Sequence, residues 1–330
     1  MPSPYIIAGF GYYVPERIVT NAEMETIVET SDEWITSRTG IKERHFVAPG
    51  QASSDLALEA AKAALADAGL TADDLTHIVL ATLTPDCYCP NAAVILSDKL
   101  FVSEKVCLDV NAACSGFLYA LEVTRGLLAL HPDAVVLTVA VEVLTSRTNF
   151  EDRTTCVLFG DGAGAVIMRN QKPTKVKASV CDIALSSNGS LWNLLTVKGG
   201  GSAYPMRRGD TVEDHFFIQM AGREVYKHAV RYMEIICRQV LKQNNLTTED
   251  IDLFIPHQAN LRIIEGLGKR LEISMDKVFV NVQKYGNTSG ASIPIALTEA
   301  YQSGAIKPGH RVLLTSFGGG FTWGAVILEF

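Results

Sequence analysis

Leu70-Thr71-Ala72-Asp73-Asp74-Leu75 is echoed by Leu246-Thr247-Thr248-Glu249-Asp250-Ile251, an offset of 176 (246 minus 70). Each copy follows a helical segment and leads into an apolar strand. Two further pairs keep the same order. The strand signal at Val106–Val110 matches Val278–Val282, and the one at Val135 matches Val312. Three features in one order at nearly constant offset indicate an internal duplication. Around them the chain alternates helix and strand signals, the pattern of an α/β protein. Ser54 to Ala68 reads as a helix that Ser54 caps and Gly69 ends. Residues 76–82, 105–110 and 134–143 read as strands. The segment after Ser115 reads as a helix stopped by Pro132, and residues 155–168 as glycine-punctuated strand material. A stretch of weak periodicity at roughly 169–215 joins the halves and reads as an irregular segment: a lid, a substrate-binding insertion or an oligomer contact. The expected division is an N-terminal half at 1–170, a connecting insertion at 171–215 and a C-terminal half at 216–330.

Composition limits the function. The 330 residues are 48% hydrophobic and 20% charged, which excludes intrinsic disorder. A formal net charge of −7 argues against nucleic-acid binding. The most apolar strip read from the sequence, Ala134–Leu144, is broken by Thr138 and Glu142, so no membrane span is expected. No signal peptide is read at the N-terminus. Seven cysteines, an odd number, fit a reducing cytoplasm. Cys87 and Cys89 have no second pair at ligand spacing, so no metal site is expected.

The chemistry concentrates at Asn111-Ala112-Ala113-Cys114-Ser115-Gly116-Phe117. Cys114 falls where a strand turns into a helix. Unpaired N–H groups and the helix dipole there are expected to lower the thiol pKa. The bland alternative is a small, inert, buried residue, which is how Cys107, Cys156, Cys181 and Cys237 read. His257 follows the apolar run ending at Pro256. Asn287 lies in Tyr285-Gly286-Asn287-Thr288-Ser289-Gly290-Ala291-Ser292, after the strand expected at Val278–Val282. All three would then sit at C-terminal ends of strands, the edge where open α/β sheets gather ligands. Gly318-Gly319-Gly320 follows another strand and lets backbone N–H groups approach a ligand. Gly160-Asp161-Gly162-Ala163-Gly164 is not a phosphate-binding fingerprint and reads as a tight loop.

Six segments together carry a resemblance: SDEWITSRTGI at 31–41, DVNAACSGF at 109–117, TCVLFGDGAGAV at 155–166, IPHQAN at 255–260, YGNTSGAS at 285–292 and SFGGGFTWG at 316–324. The chain resembles, over essentially its whole length, the β-ketoacyl-acyl-carrier-protein synthase III family. The resemblance implies a thiolase fold, with duplicated βα halves in a five-layer α-β-α-β-α sandwich, and a homodimer. It implies condensation of an acyl-coenzyme A with malonyl-acyl carrier protein through an acyl-Cys114 intermediate, with loss of carbon dioxide. His257 and Asn287 would stabilise the enolate, whereas elongating relatives place a second histidine where Asn287 stands. The N–H groups of Cys114 and Gly319 would hold the acyl-transfer oxyanion. Trp34 and Arg38 would sandwich the adenine, with Arg153 and Asn260 along the coenzyme A path. Arg262, Lys269 and Arg270 would dock the acidic carrier protein. Cys89, where several relatives carry a large aromatic, would gate the neighbouring subunit's acyl pocket and admit longer starters. No resident cofactor is implied, since acyl-coenzyme A is a substrate. Three other readings stay open: a related acyltransferase of secondary metabolism, a cysteine hydrolase, and a non-catalytic binding module.

Overall fold

The computed structural model of the protein describes residues 5–170 and 176–330. Nine strands form the main sheet: β1 (Ile6–Tyr13), β2 (His77–Ala81), β3 (Val106–Val110), β4 (Val135–Glu142), β5 (Gly162–Arg169), β6 (Ala178–Ser187), β7 (Leu253–Pro256), β8 (Arg311–Gly318) and β9 (Thr322–Glu329). Their spatial order is β7-β8-β9-β6-β1-β5-β4-β2-β3. Within the sheet, the N-terminal and C-terminal sets are joined where β1 pairs β6 across Ile6–Ser179 and Ile7–Ala178. Seven helices matter here: α1 (Asp32–Thr39), α2 (Ser53–Ala68), α3 (Ala92–Lys99), α4 (Gly116–Leu130), α5 (Gly222–Gln243), α6 (Leu261–Leu271) and α7 (Ser292–Gln302).

Three apolar clusters define the layers. One joins α2 and α3 to one face of the N-terminal strands. A second places α4 and α7 between the two sets of strands. The third packs α5 and α6 on the outer face of the C-terminal strands. Helices, strands, helices, strands, helices is the five-layer order. The middle layer explains the apolarity of Ala113–Leu130. Among the described residues this stretch, rather than Ala134–Leu144, is the one long and apolar enough to span a membrane by length and composition. Here Phe117, Leu118, Leu121 and Leu128 fill the core between strands.

The repeated hexapeptides fold alike. Thr71 and Thr247 each cap a single 3-10 turn, closed by Asp74 and Asp250 in matching capping boxes. The Val278–Val282 strand expectation is corrected. Only Val278 bridges the outer edge of β7, at Phe254, and Val282–Tyr285 is a short helix. The Gln258 side chain supplies what a ladder would. Its Oε1 accepts from Asn281 N (2.9 Å) and Val282 N (3.2 Å), and its Nε2 donates to Phe279 O (3.1 Å). The second copy thus keeps the position of β3 without its length.

Other expectations also shift. The N-cap of α2 is Ala52, not Ser54, because the Ser54 hydroxyl is spent on Asp86. Gly69 does end the helix, at φ 66°. Residues 162–164 lie inside β5, where glycine is required by close approach: a Cβ on Gly164 would meet Pro294 at 2.7 Å. The segment read as irregular contains β6, a full partner of β9. Its first residues, 171–175, lie outside the described residues. Beyond β6, 3-10 turns and a two-residue hairpin (Leu195–Thr196 with Gln219–Met220) carry the chain over the site.

Candidate active site

Cys114 and His257 hang from neighbouring residues of β8. The Ser316 hydroxyl donates to Cys114 O (2.6 Å), and His257 N donates to Thr315 O (2.8 Å). Two chain ends, after β3 and after β7, are thereby fixed to one strand. The sequence reading also put Asn287 at a strand end, and this is corrected. It follows the short helix Val282–Tyr285 and reaches the site through a parallel bridge to Phe159. The 3-10 turn Ser289–Ala291 then packs on the 3-10 turn Ala113–Ser115 that carries Cys114. Gly290 makes this possible, since a Cβ there would meet Ala113 O at 3.0 Å. Ala113 (φ 46°) and Ser289 (φ 50°) both take the left-handed region that non-glycine residues avoid. Such strain persists where the surroundings over-determine it, as at functional sites.

Each polar side chain is oriented by a partner. Gln258 N–H donates to Ser292 Oγ (3.3 Å), and Ser292 Oγ lies 2.6 Å from His257 Nδ1. Ser292 is placed to give its hydroxyl proton to Nδ1, one of its two lone pairs taking the Gln258 N–H. In that arrangement the neutral ring carries its proton on Nε2, a donor. Asn287 Oδ1 accepts from Ser289 N (2.9 Å), leaving its NH2 end to donate. Burial lowers the His257 pKa to about 3, so the ring is neutral throughout the physiological range.

The expected lowering of the Cys114 pKa is corrected. Burial, reinforced by the nearby Glu142 charge, raises it to about 11, while a hydrogen bond with Ser289 pulls the other way. A helix terminus favours an anion only while its N–H groups are unspent. Here Ser115 N is taken by Ala112 O (3.0 Å). The resting site therefore holds a neutral thiol and a neutral imidazole. The glycine turn after β8 comes close: a Cβ on Gly318 would lie 2.7 Å from Cys114 N. Gly319, the residue singled out in the sequence, faces the connecting segment, with Leu195 O 2.9 Å from its Cβ position.

A second wall is built by α1 and α6. Ser31 caps α1 by accepting from Trp34 N (3.1 Å). The guanidinium of Arg38 lies 5.1 Å from the Trp34 ring centre, and that of Arg153 5.6 Å. A planar base between two such groups needs about 7 Å, twice a van der Waals contact of about 3.5 Å. A base would fit there only if an arginine moved outward. Asn260 caps α6 through Arg262 N (2.8 Å). Arg262 donates to Ser37 O (3.0 Å), latching α6 to α1. Lys269 and Arg270 end α6, both exposed, but Arg270 pairs with Glu234 (2.9 Å) and is partly neutralised. Cys89 is exposed, in a loop where Tyr88 is 84% accessible.

Sequence reasoning passed over three residues: Ser289, Ser292 and Glu142. The first two stand inside quoted segments, and their roles depend on contacts that sequence spacing does not reveal. Glu142 was noted only as a break in an apolar run. A lone acid in a buried strand was the available signal.

Comparisons with known proteins place the chain in one family. A family model described as 3-oxoacyl-[acyl-carrier-protein (ACP)] synthase III matches residues 108–189, and one described as its C-terminal part matches residues 241–330. The chain is 58% identical, over 100% of both chains, to a beta-ketoacyl-[acyl-carrier-protein] synthase III of Nitratidesulfovibrio vulgaris strain DP4. It is 56% identical, again over 100% of both, to that of Oleidesulfovibrio alaskensis. The crystal structure of 3-oxoacyl-[acyl-carrier-protein] synthase III from Aquifex aeolicus VF5 superposes with a TM-score of 0.89 at 44% identity, covering 99% of this chain and 100% of that one.

Proposed function

The chain belongs to the β-ketoacyl-acyl-carrier-protein synthase III family, and from that premise we propose how its own residues carry the reaction. The activity is the decarboxylative condensation that initiates fatty acid synthesis, an acyltransferase reaction on a thiolase fold. In our reading Cys114 attacks the acyl-coenzyme A thioester and becomes acylated. The backbone N–H groups of Cys114 and Gly319 hold the oxyanion, and the missing side chain of Gly318 leaves room for it. Coenzyme A leaves along Trp34, Arg38 and Arg153. Asn260 contributes by capping α6 beside that path. Malonyl-acyl carrier protein then binds and loses carbon dioxide. The Nε2–H of His257 and the NH2 of Asn287 donate to the enolate oxygen, and the enolate carbon attacks the acyl thioester. Neither step calls for a metal or a resident cofactor.

The observation that carries this reading is the shared anchorage of Cys114 and His257 on Ser316 and Thr315, with Asn287 latched through Ser289. Homodimerisation is supported by β3, which ends the sheet with one edge unpaired and Val106 52% exposed. Unpaired edges of this kind invite a second chain. The loop bearing Cys87, Tyr88 and Cys89 would then enter the neighbouring subunit, where Cys89 gates the acyl pocket. Arg262 and Lys269 remain as the docking patch for the acidic carrier protein, with Arg270 weakened by Glu234. We place the protein in the cytoplasm, as seven unpaired thiols suggest. For domain limits we retain 1–170, 171–215 and 216–330, with β6 serving the C-terminal sheet. The direct test is product analysis with acyl-coenzyme A and malonyl-acyl carrier protein. A β-ketoacyl carrier protein two carbons longer than the starter is expected. Free acid as the sole product would point to hydrolysis instead.

A further inference from the structure

We propose that Ser289 and Glu142 form a proton relay for Cys114, the thiol proton passing through the Ser289 hydroxyl to the Glu142 carboxylate as the acyl-enzyme forms. The inference rests on Cys114 being the nucleophile. Glu142 ends β4 and is 1% exposed. Leu83 N–H donates to both of its oxygens (3.2 Å each), Thr84 Oγ1 to Oε2 (2.6 Å), and Thr82 Oγ1 to Oε2 (3.3 Å). Ser289 Oγ donates to Oε1 (3.3 Å), and the 3-10 turn that Ser289 opens packs on the turn that carries Cys114. Among the described residues no cation pairs with Glu142. Opposite it in the sheet is Gly162, and the adjacent Asp161 spends its carboxylate on Val47 N, Thr145 N and Thr145 Oγ1. The titratable group that feels its charge is Cys114.

Ser289 has one hydroxyl proton and two neighbours that accept one. With the thiol protonated, S–H donates to Oγ and Oγ–H donates to Oε1. Transfer breaks the S–H bond, forms an O–H bond on Glu142, and returns Ser289 with a different proton. The thiolate attacks the thioester carbonyl. The departing coenzyme A thiolate then takes a proton from the Ser289 hydroxyl, which Glu142 replaces, so atoms and charge balance. Burial holds Glu142 at about 7, close to working pH, where a general base is most effective. His257 is a poor rival, being depressed to about 3 with Nδ1 already engaged.

The test compares wild type, Glu142→Gln and Ser289→Ala in two rates against pH: alkylation of Cys114 by iodoacetamide, and acyl-enzyme formation from acyl-coenzyme A. The relay predicts that both variants slow both rates at pH 7 by about 100-fold or more, as loss of a general base does. The double variant should be no slower than either single one. The sign discriminates. A carboxylate that only repels the thiolate would, once removed, leave Cys114 easier to ionise and faster to react. Equal or faster rates in Glu142→Gln therefore overturn the proposal, as does an unaffected Ser289→Ala. Should Glu142→Gln fail to fold, Ser289→Ala alone decides. A wild-type enzyme that forms no adduct at Cys114 would instead refute the nucleophile assignment, a distinct result.

Discussion

Ser292→Ala removes the hydroxyl that bonds His257 Nδ1. In the wild type Ser292 Oγ sits 2.6 Å from Nδ1 and 3.3 Å from Gln258 N, and His257 is 3% exposed. The alanine leaves a buried ring nitrogen and a buried backbone N–H without this partner. An unsatisfied buried polar group costs about 1–3 kcal/mol. If that loss falls on the transition state, each 1.36 kcal/mol is a factor of ten, so the rate drops about 5- to 150-fold. It should fall on one half-reaction. Acylation by acyl-coenzyme A uses the Cys114 side of the site and should change less than about threefold, on the order of 0.5 kcal/mol. Carbon dioxide release from malonyl-acyl carrier protein, measured on pre-acylated enzyme, should carry the whole loss. Equal losses in both steps, or none in either, would refute the assignment of Nε2–H as the enolate donor.

Three further outcomes are expected. Cys89→Phe should depress activity with long acyl-coenzyme A more than with acetyl-coenzyme A, and an unchanged chain-length profile would remove Cys89 from the pocket. Arg262→Glu should raise KM for malonyl-acyl carrier protein and, because Arg262 also latches α1 through Ser37 O (3.0 Å), for acyl-coenzyme A. Lys269→Glu should raise only the carrier-protein KM, about fivefold at low salt, the reach of one exposed ion pair; equal effects on both substrates would dissolve the patch. Stability against pH should report Glu142, whose pKa is about 7 when folded against an ordinary value of 4.5. Across that window the folded chain binds the extra proton, so this group's contribution is full below 4.5 and is lost as pH rises to 7. The stability of wild type relative to Glu142→Gln should therefore fall by about 1.4 kcal/mol per pH unit from 4.5 to 7. A pH-independent difference in denaturation free energy would contradict the buried acid.

The architecture was legible because it is written in repeated, local chemistry. Thr71/Asp74 and Thr247/Asp250 are self-contained capping boxes, and each announces the strand after it. Apolar runs of strand length gave β2, β3 and β4 nearly to the residue. What failed was non-local. Val278–Val282 has strand composition, but Gln258, some twenty residues earlier, takes over its backbone partners. Ser54 is a good cap that Asp86 claims first. In the site, Cys114, His257 and Asn287 stood out by residue type and neighbourhood. The ionisation of Cys114 did not, because the dipole argument sees only the helix. Desolvation and the charge of Glu142 come from chain segments brought in by the fold. Ser289 and Ser292 are ordinary serines until Ala113 and His257 are placed beside them.

The central claim is that Cys114 carries the acyl group. Intact-protein mass spectrometry after mixing with a panel of acyl-coenzyme A thioesters tests it most directly, using wild type and Cys114→Ala. The account predicts a mass increase equal to one acyl group in the wild type, largest for the preferred starter, and none in the variant. An adduct that persists in Cys114→Ala, or its absence with every thioester, would contradict it.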